Sequence, residues 1–399
     1  MSSAASNIYL ARAIRDFGDG FVAILLPVYL LALGRSAFEV GVLATLALFG
    51  SASLTLAIGL LGGGRDHRVL LLAASILMAA TGLAYAAASD YALLLAVAFV
   101  GTINPSGGST SIFVPLEHAV LSGAVAPMER TRTFARYSLI GALAGAFGSL
   151  LAGMPEWLAP LGIGKLAAIR IMFVAYAVLG ILGGLAYRSI PAPARAPRAT
   201  PQSPPALGPS RRVVYRLAAL FSIDAFAGGF VVQSLLALWL FERFEMSLSA
   251  ASVFFFWTGI FSAFSFPVAA WIGARIGLVN TMVFTHIPSS LCLIAAAFAP
   301  SVEWALGLLL VRATLSQMDV PTRSSYVMAV VTEAERPAAA SVTAVPRSLA
   351  SAASPALAGA LFASGHLALP LLLCGGLKIL YDLLLLAAFR KIKPPEEKN

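Results

Sequence analysis

The stretch Val311–Ala340, VRATLSQMDVPTRSSYVMAVVTEAERPAAA, decides how this chain is read. It reads as the end of an apolar helix carrying Arg312, Asp319 and Arg323, then a turn with Glu335-Arg336, then a helix of small residues. At about 100° per residue, Arg312, Ser316, Asp319 and Arg323 fall on one helix face. Charge is costly at membrane depth, so the stripe is expected to face a bundle interior or a watery cavity.

The pattern occurs twice. Val114-Pro115-Leu116-Glu117, followed by Glu129-Arg130, matches Val320-Pro321-Thr322-Arg323, followed by Glu335-Arg336. In one register Pro115 pairs with Pro321, Glu117 with Arg323, and Arg130 with Arg336. A second match joins Phe17-Gly18-Asp19-Gly20-Phe21 to Phe226-Ala227-Gly228-Gly229-Phe230. The chain therefore reads as two similar halves.

Working outward, 59% of the residues are hydrophobic and 11% charged, against about 25% charged in soluble domains. An ordinary soluble domain is excluded. The formal charge is +9, but the basic residues sit in short segments between apolar stretches, an orientation signal rather than a nucleic-acid footprint. Met1–Ser6 carries no basic leader region, so the first apolar segment is expected to be retained. Cys292 and Cys374 lie in separate apolar segments, without the spacing of a disulfide framework or zinc site. No cofactor or metal is expected.

Twelve apolar stretches approach the ~20 residues a bilayer needs: 8–33, 40–61, 69–88, 91–121, 134–153, 166–187, 213–240, 249–273, 279–299, 302–331, 338–363 and 367–389. The proline-rich, acid-free segment Ser189–Arg212 divides them six and six and reads as a flexible connector. The expected organisation is an all-α membrane protein: a six-helix bundle at 1–188, a cytoplasmic linker at 189–212 and a second bundle at 213–399. Arginines and lysines crowd one set of connections, with only Arg35, Lys165 and Arg243 on the other. Both termini are therefore expected inside, in a cytoplasmic or plasma membrane.

Along the chain, Arg12–Asp16, Arg15–Asp19 and Lys378–Asp382 have i,i+4 pair spacing. Asp16 is read either as snorkelling or as inside the helix, and Asp19 as deeper. Asn104-Pro105-Ser106-Gly107-Gly108 weakens the fourth span, as a local kink or as the wall of a binding cavity. Gly141, Gly145 and Gly148 form a close-packing seam, repeated by Arg347, Ser351, Ser354 and Gly359. His286 is read first as a core histidine and second as a proton relay, and Lys378–Asp382 as a structural pair.

Twelve spans, a six-plus-six division, inside termini and a basic central loop resemble the major facilitator superfamily. The loop Gly59-Leu60-Leu61-Gly62-Gly63-Gly64-Arg65-Asp66-His67-Arg68 is similar to the family's G-x-L-x-D-R-x-G-R-K, with Gly63 where the acid belongs. Ala274-Arg275-Ile276-Gly277 keeps only R-x-G. The family's fourth-span R-x-x-Q/S-G is missing from the fourth span and is approximated by Arg312, Ser316 and Gln317 in the tenth. The resemblance implies that the first, fourth, seventh and tenth spans line a cavity, and these spans hold Asp19, Glu117, Asp224, Arg312, Asp319 and Arg323.

The expected function is secondary transport by alternating access, proton-coupled efflux of a small organic compound. The alternative is uptake or exchange of an organic anion, coupled to protons or sodium. Asp319, Asp224 and Asp19 are the expected proton-coupling acids, and Arg312, Arg323 and Asn104 the substrate-binding groups. Glu117, Arg136, Glu129, Arg130, Glu335 and Arg336 form the expected gating network. The partners are substrate, coupling ion and lipid bilayer, with no nucleic acid and a monomeric chain. The four histidines are scattered, without HExxH or GxSxG, so an enzyme is not expected.

Overall fold

Two prolines in equivalent places start two helices. A computed structural model describes residues 3–61, 66–107, 111–125, 129–190, 207–332, 335–390 and 392. Its helices are α1 Ser3–Ala32, α2 Ala37–Leu61, α3 His67–Ala87, α4 Tyr91–Val100, α5 Phe113–Ala124, α6 Arg130–Leu151, α7 Met154–Leu158, α8 Lys165–Arg188, α9 Arg211–Gly229, α10 Gln233–Phe244, α11 Leu248–Ile276, α12 Leu278–Ala297, α13 Val302–Leu315, α14 Asp319–Ala329, α15 Arg336–Ala363 and α16 Leu369–Phe389. Pro115 lies in the first turn of α5 and Pro321 in the first turn of α14. A proline there loses no helical hydrogen bond, whereas in a continuous helix it would remove one and clash with the preceding turn.

The expected fourth and tenth spans are therefore each broken in two. After α4, the Asn104 side-chain oxygen accepts from the Ser106 amide at 3.0 Å and the Ser106 hydroxyl at 2.7 Å. Gly107 turns the chain at φ +72°, a conformation that glycine adopts at no steric cost. The carbonyl of Pro105 accepts from Ser234 at 3.0 Å, satisfying backbone freed by the break. Ser316–Met318 separates α13 from α14. The single helix face expected for Arg312, Asp319 and Arg323 is thereby cut.

Among the described residues, eight helices are long and apolar enough to cross a membrane. Ile76, Phe264, Phe284 and Phe298 are exposed while Asp16, Glu117 and Asp382 are buried. This reverses the water-soluble arrangement and suits a lipid solvent.

The chain groups into two compact units. One comprises Met1–Thr200 and Val232–Gly259, the other Pro201–Val231 and Ile260–Asn399. In the first, α1 packs closely on α6, as the glycine seam predicts. A Cβ at Gly148 would collide with the Phe17 carbonyl oxygen, and one at Gly20 with that of Gly145. In the second, α9 packs on α15 in the same register. Ser354 donates to the Phe226 carbonyl at 2.5 Å, and a Cβ at Gly229 would collide with Ser351 and Ser354. The expected linker falls outside the described residues at 191–206, as does the glycine-rich loop at 62–65.

Candidate functional site

Each unit holds one buried charge cluster. In the first unit, α1 presents Arg12, Arg15, Asp16 and Asp19, all buried. Arg12 pairs with Asp16 at 2.7 Å, one helical turn away. Arg15 pairs with Glu117 of α5 at 2.9 Å and with Asp16 at 3.2 Å. Glu117 also accepts from the hydroxyls of Tyr187, at 2.5 Å, and Tyr137. Asp19 accepts from Tyr176 at 3.2 Å. Charge and donors offset the cost of dehydrating these carboxylates.

In the second unit the bonds form one chain. Within α14, Arg323 pairs with Asp319 at 2.6 Å, and it reaches Oδ2 of Asp224 on α9 at 3.3 Å. Oδ1 of Asp224 accepts from the Lys378 ammonium of α16 at 2.6 Å. Lys378 Nζ lies 3.2 Å from His286 Nε2 on α12, and His286 Nδ1 lies 3.1 Å from both oxygens of Asp382. An ammonium can only donate, so Nε2 must accept and Nδ1 must carry the hydrogen given to Asp382. The path Asp319–Arg323–Asp224–Lys378–His286–Asp382 is continuous.

Several expected pairings are corrected. Arg15 engages Asp16 and Glu117 rather than Asp19, because Glu117 reaches it from a different helix. Lys378 and Asp382 do not pair with each other; they bind Asp224 and opposite ends of His286. Glu117 is bonded to Arg15, whereas Arg136 is exposed on α6 with no ion pair among the described residues. Arg312, displaced by the break after α13, is half-buried near Cys292 and Cys374, also without an ion pair among the described residues. Both cysteines are free.

Other expected residues are placed as follows. Asn104 shapes the turn after α4. Glu129 is exposed at the start of α6, and the Arg130 side chain is outside the described residues. Glu335 accepts from Gly208, Ser210 and Thr332, tying the entry of α9 to the entry of α15. Those donors hold its carboxyl down at about 2. Arg336 reaches the Met328 carbonyl at 3.4 Å. Among the described residues no cluster of histidine, cysteine and acidic groups could hold a metal.

Residues not expected in the site complete both clusters: Tyr137, Tyr176 and Tyr187 in one, and in the other His286, Lys378 and Asp382, which the sequence reads first as core or structural groups. One signal was present. The register joining Phe17 to Phe226 places Arg15 on Asp224, and the register joining Pro115 to Pro321 places Glu117 on Arg323. The two central ion pairs are equivalent, with their charges exchanged.

The Major Facilitator Superfamily model matches residues 8–318. The chain belongs to that superfamily. An uncharacterised membrane protein of Saccharomyces cerevisiae, YJR124C, is 21% identical over 410 residues, covering 94% of this chain and 92% of its own. The nucleoside transporter NupG superposes with a TM-score of 0.72 at 13% identity, covering 98% of this chain and 100% of its own. A bacterial homologue of the human lysosomal transporter Spinster, inward-facing and unoccupied, gives 0.69 at 15% identity, over 96% and 94%. The human organic anion transporter MFSD10 gives 0.67 at 17% identity, over 96% and 99%. At these identities the structures share the fold. The superfamily is one of transporters, not enzymes, so this chain is a transporter with a small-molecule substrate in a lipid bilayer.

Proposed function

We propose that the protein is a proton-coupled secondary transporter that exports a small organic compound by alternating access. The observation carrying this reading is the unbroken chain of ionisable groups in the second unit, from Asp319 through Asp224 to Asp382. A membrane helix bundle does not need such a chain to fold, and apolar packing of similar volume serves as well or better. Asp224 and Asp319 are the coupling acids in this reading, with Asp19 contributing from the first unit. Arg323 binds substrate or holds the carboxylates ionised, and Asn104 contributes from the broken fourth span.

The twelve-span count follows if α1 and α15, which carry buried or half-buried charge, and the broken pairs α4/α5 and α13/α14 join the eight strongly apolar helices. The division into bundles 1–188 and 213–399, inside termini, a cytoplasmic-membrane location and a monomeric state belong to the same reading. Glu129, Arg130, Arg136, Glu335 and Arg336, in or just before the first two turns of α6 and α15, act as gates, while Glu117 braces the first unit.

The test has two stages. A thermal-shift screen of purified protein against metabolites and antibiotics identifies a ligand. Flux of that ligand is then measured in proteoliposomes under an imposed pH gradient, for wild type and Asp319→Asn. Gradient-driven flux lost in the variant supports the reading; flux unchanged in the variant rejects Asp319 as a coupling site.

A second reading is uptake or exchange of an organic anion, with protons or sodium as the coupling ion. Its support is cationic. Arg312 has no ion pair among the described residues, and Arg347 of α15 is half-buried with its Nε unbonded. A guanidinium with a hydrogen-bond donor to spare at membrane depth suits a carboxylate or phosphate.

A further inference from the structure

We infer that His286 is the proton-binding residue of a two-position switch on Asp224, in which imidazolium and the Lys378 ammonium compete for one carboxylate oxygen. The inference rests on the proton-coupled reading above.

The geometry centres on Asp224 Oδ1. Lys378 Nζ occupies it at 2.6 Å, and His286 Nε2 stands 3.8 Å from the same oxygen. Lys378 Nζ lies between the two acceptors, 3.2 Å from that nitrogen. In this arrangement Nε2 has its lone pair toward the ammonium, and the imidazole is neutral. When a proton from water binds Nε2, the ring has a donor on each nitrogen. The bond from Lys378 to Nε2 then breaks, and two cations repel at short range. Asp224 Oδ1 stands less than 1 Å beyond bonding distance of that nitrogen, so the new N–H reaches it once Lys378 moves aside. Imidazolium takes the oxygen, and Lys378 leaves it with a free ammonium. Loss of the proton to water reverses each step. Asp382, on Nδ1, holds the ring in place through both states.

The surrounding groups leave room for one such exchange. Asp224 faces the ring from α9, Lys378, Tyr381 and Asp382 from α16, and Asp319 and Arg323 of α14 stand behind Asp224. Arg347 of α15 lies near Arg323 and Asp224, and Arg312 of α13 lies near Cys292. The carboxylates of Asp224, Asp319 and Asp382 balance Lys378, Arg323 and Arg347 while His286 is neutral. One added proton makes one cation surplus, and moving Lys378 away from the ring lowers the repulsion between the two cations.

Among its described residues the first unit has no counterpart. There Gly180 of α8 packs on Met78 of α3, and the contact Gly82–Phe173 matches Ser290–Gly375 in the second unit. That match puts Met78 at the place of His286 and Gly180 at the place of Asp382. Tyr176, bonded to Asp19, stands at the place of Lys378, bonded to Asp224. The switch is therefore a feature of one half rather than a demand of the repeat.

The direct test is ¹⁵N-imidazole NMR of the full-length protein in lipid nanodiscs across pH, with H286Q assigning the signal. The expected wild-type spectrum shows a neutral Nδ1–H tautomer at high pH and imidazolium at low pH. Removing the competing ammonium in K378M should raise the midpoint by about one unit, a tenfold gain in proton affinity. An Nε2–H tautomer, or a midpoint that K378M leaves in place, overturns the switch. Flux of the screened ligand separates the two claims. Wild-type flux that ignores a pH gradient removes the proton-coupled reading even where the ring titrates as described. Gradient-driven flux that is equal in H286Q removes the switch and leaves that reading.

Discussion

Arg15 on α1 meets Glu117 on α5 at 2.9 Å, and Asp224 on α9 meets Arg323 on α14 at 3.3 Å. The positions are equivalent in the two repeats and the signs are opposite. A dehydrated charge needs a partner, but the fold is indifferent to which helix supplies the cation. The surroundings differ more. Glu117 is closed in by Arg15 and two tyrosine hydroxyls, none of which titrates readily near neutral pH. Asp224 is held by a long flexible lysine that also touches a histidine. In the proposed reading the first centre is a brace and the second a part that moves.

The sharpest way to break this comparison is Asp224→Asn. Arg323 keeps Asp319, but Lys378 is left with only His286. A loss of about 3–5 kcal/mol is expected, together with loss of gradient-driven flux. Thermal unfolding and proteoliposome flux measure both, and a variant that matches wild type in each would abolish the distinction. Next is Glu117→Gln, expected to cost about 2–3 kcal/mol, since Arg15 retains Asp16. In the double variant with Arg15→Met, part of that loss should return as a coupling of about 1–3 kcal/mol. Additive losses would mean the pair is not a brace.

The helix seams extend the comparison at lower energy. Gly148→Ala drives a methyl into the Phe17 carbonyl and should cost about 1–3 kcal/mol. Ser354→Ala, at the equivalent place, loses one hydrogen bond and should cost about 1 kcal/mol. The reverse order in unfolding measurements would show that the two seams are not packed alike.

The smallest effect is expected at Glu335→Gln. Hydrogen bonds from Thr332 and Ser210 depress the Glu335 carboxyl from 4.5 to about 2. A depressed carboxyl contributes stability above its ordinary range and loses it as pH falls through the folded value. Wild type should therefore melt above E335Q at neutral pH, and the two curves should converge as pH approaches 2. Parallel curves would mean that the clamp between α9 and α15 contributes nothing.

Much of the fold was legible because it depends on composition and period. Apolar length, glycine seams and the duplicated Val-Pro pattern are local properties, and the family match agrees with them. The breaks were half legible. Asn104-Pro105-Ser106-Gly107 announced itself, but Pro321 sat inside a run whose helical face looked continuous. Arg312 was grouped with Asp319 and Arg323 for that reason, and the break at Ser316–Met318 separates them. Buried charges in the spans expected to line the cavity stand out in the sequence by their cost in a membrane. His286, Lys378 and Asp382 read from the sequence as core or structural groups, because α12 and α16 were not expected to line the cavity and i,i+4 spacing suggested a pairing within α16.

From its residues alone, this chain was determined to be a two-fold repeat of apolar helices with charges too expensive to waste. Bilayer thickness, helical period and dehydration cost act on each segment separately, so they can be read segment by segment. Which charge meets which was decided only by tertiary packing. Arg15 chooses Glu117 over Asp19, and Lys378 chooses Asp224 over Asp382, because helices distant in sequence bring those partners within about 3 Å. At that range in a dry interior the nearest opposite charge dominates, and sequence spacing carries no information about it.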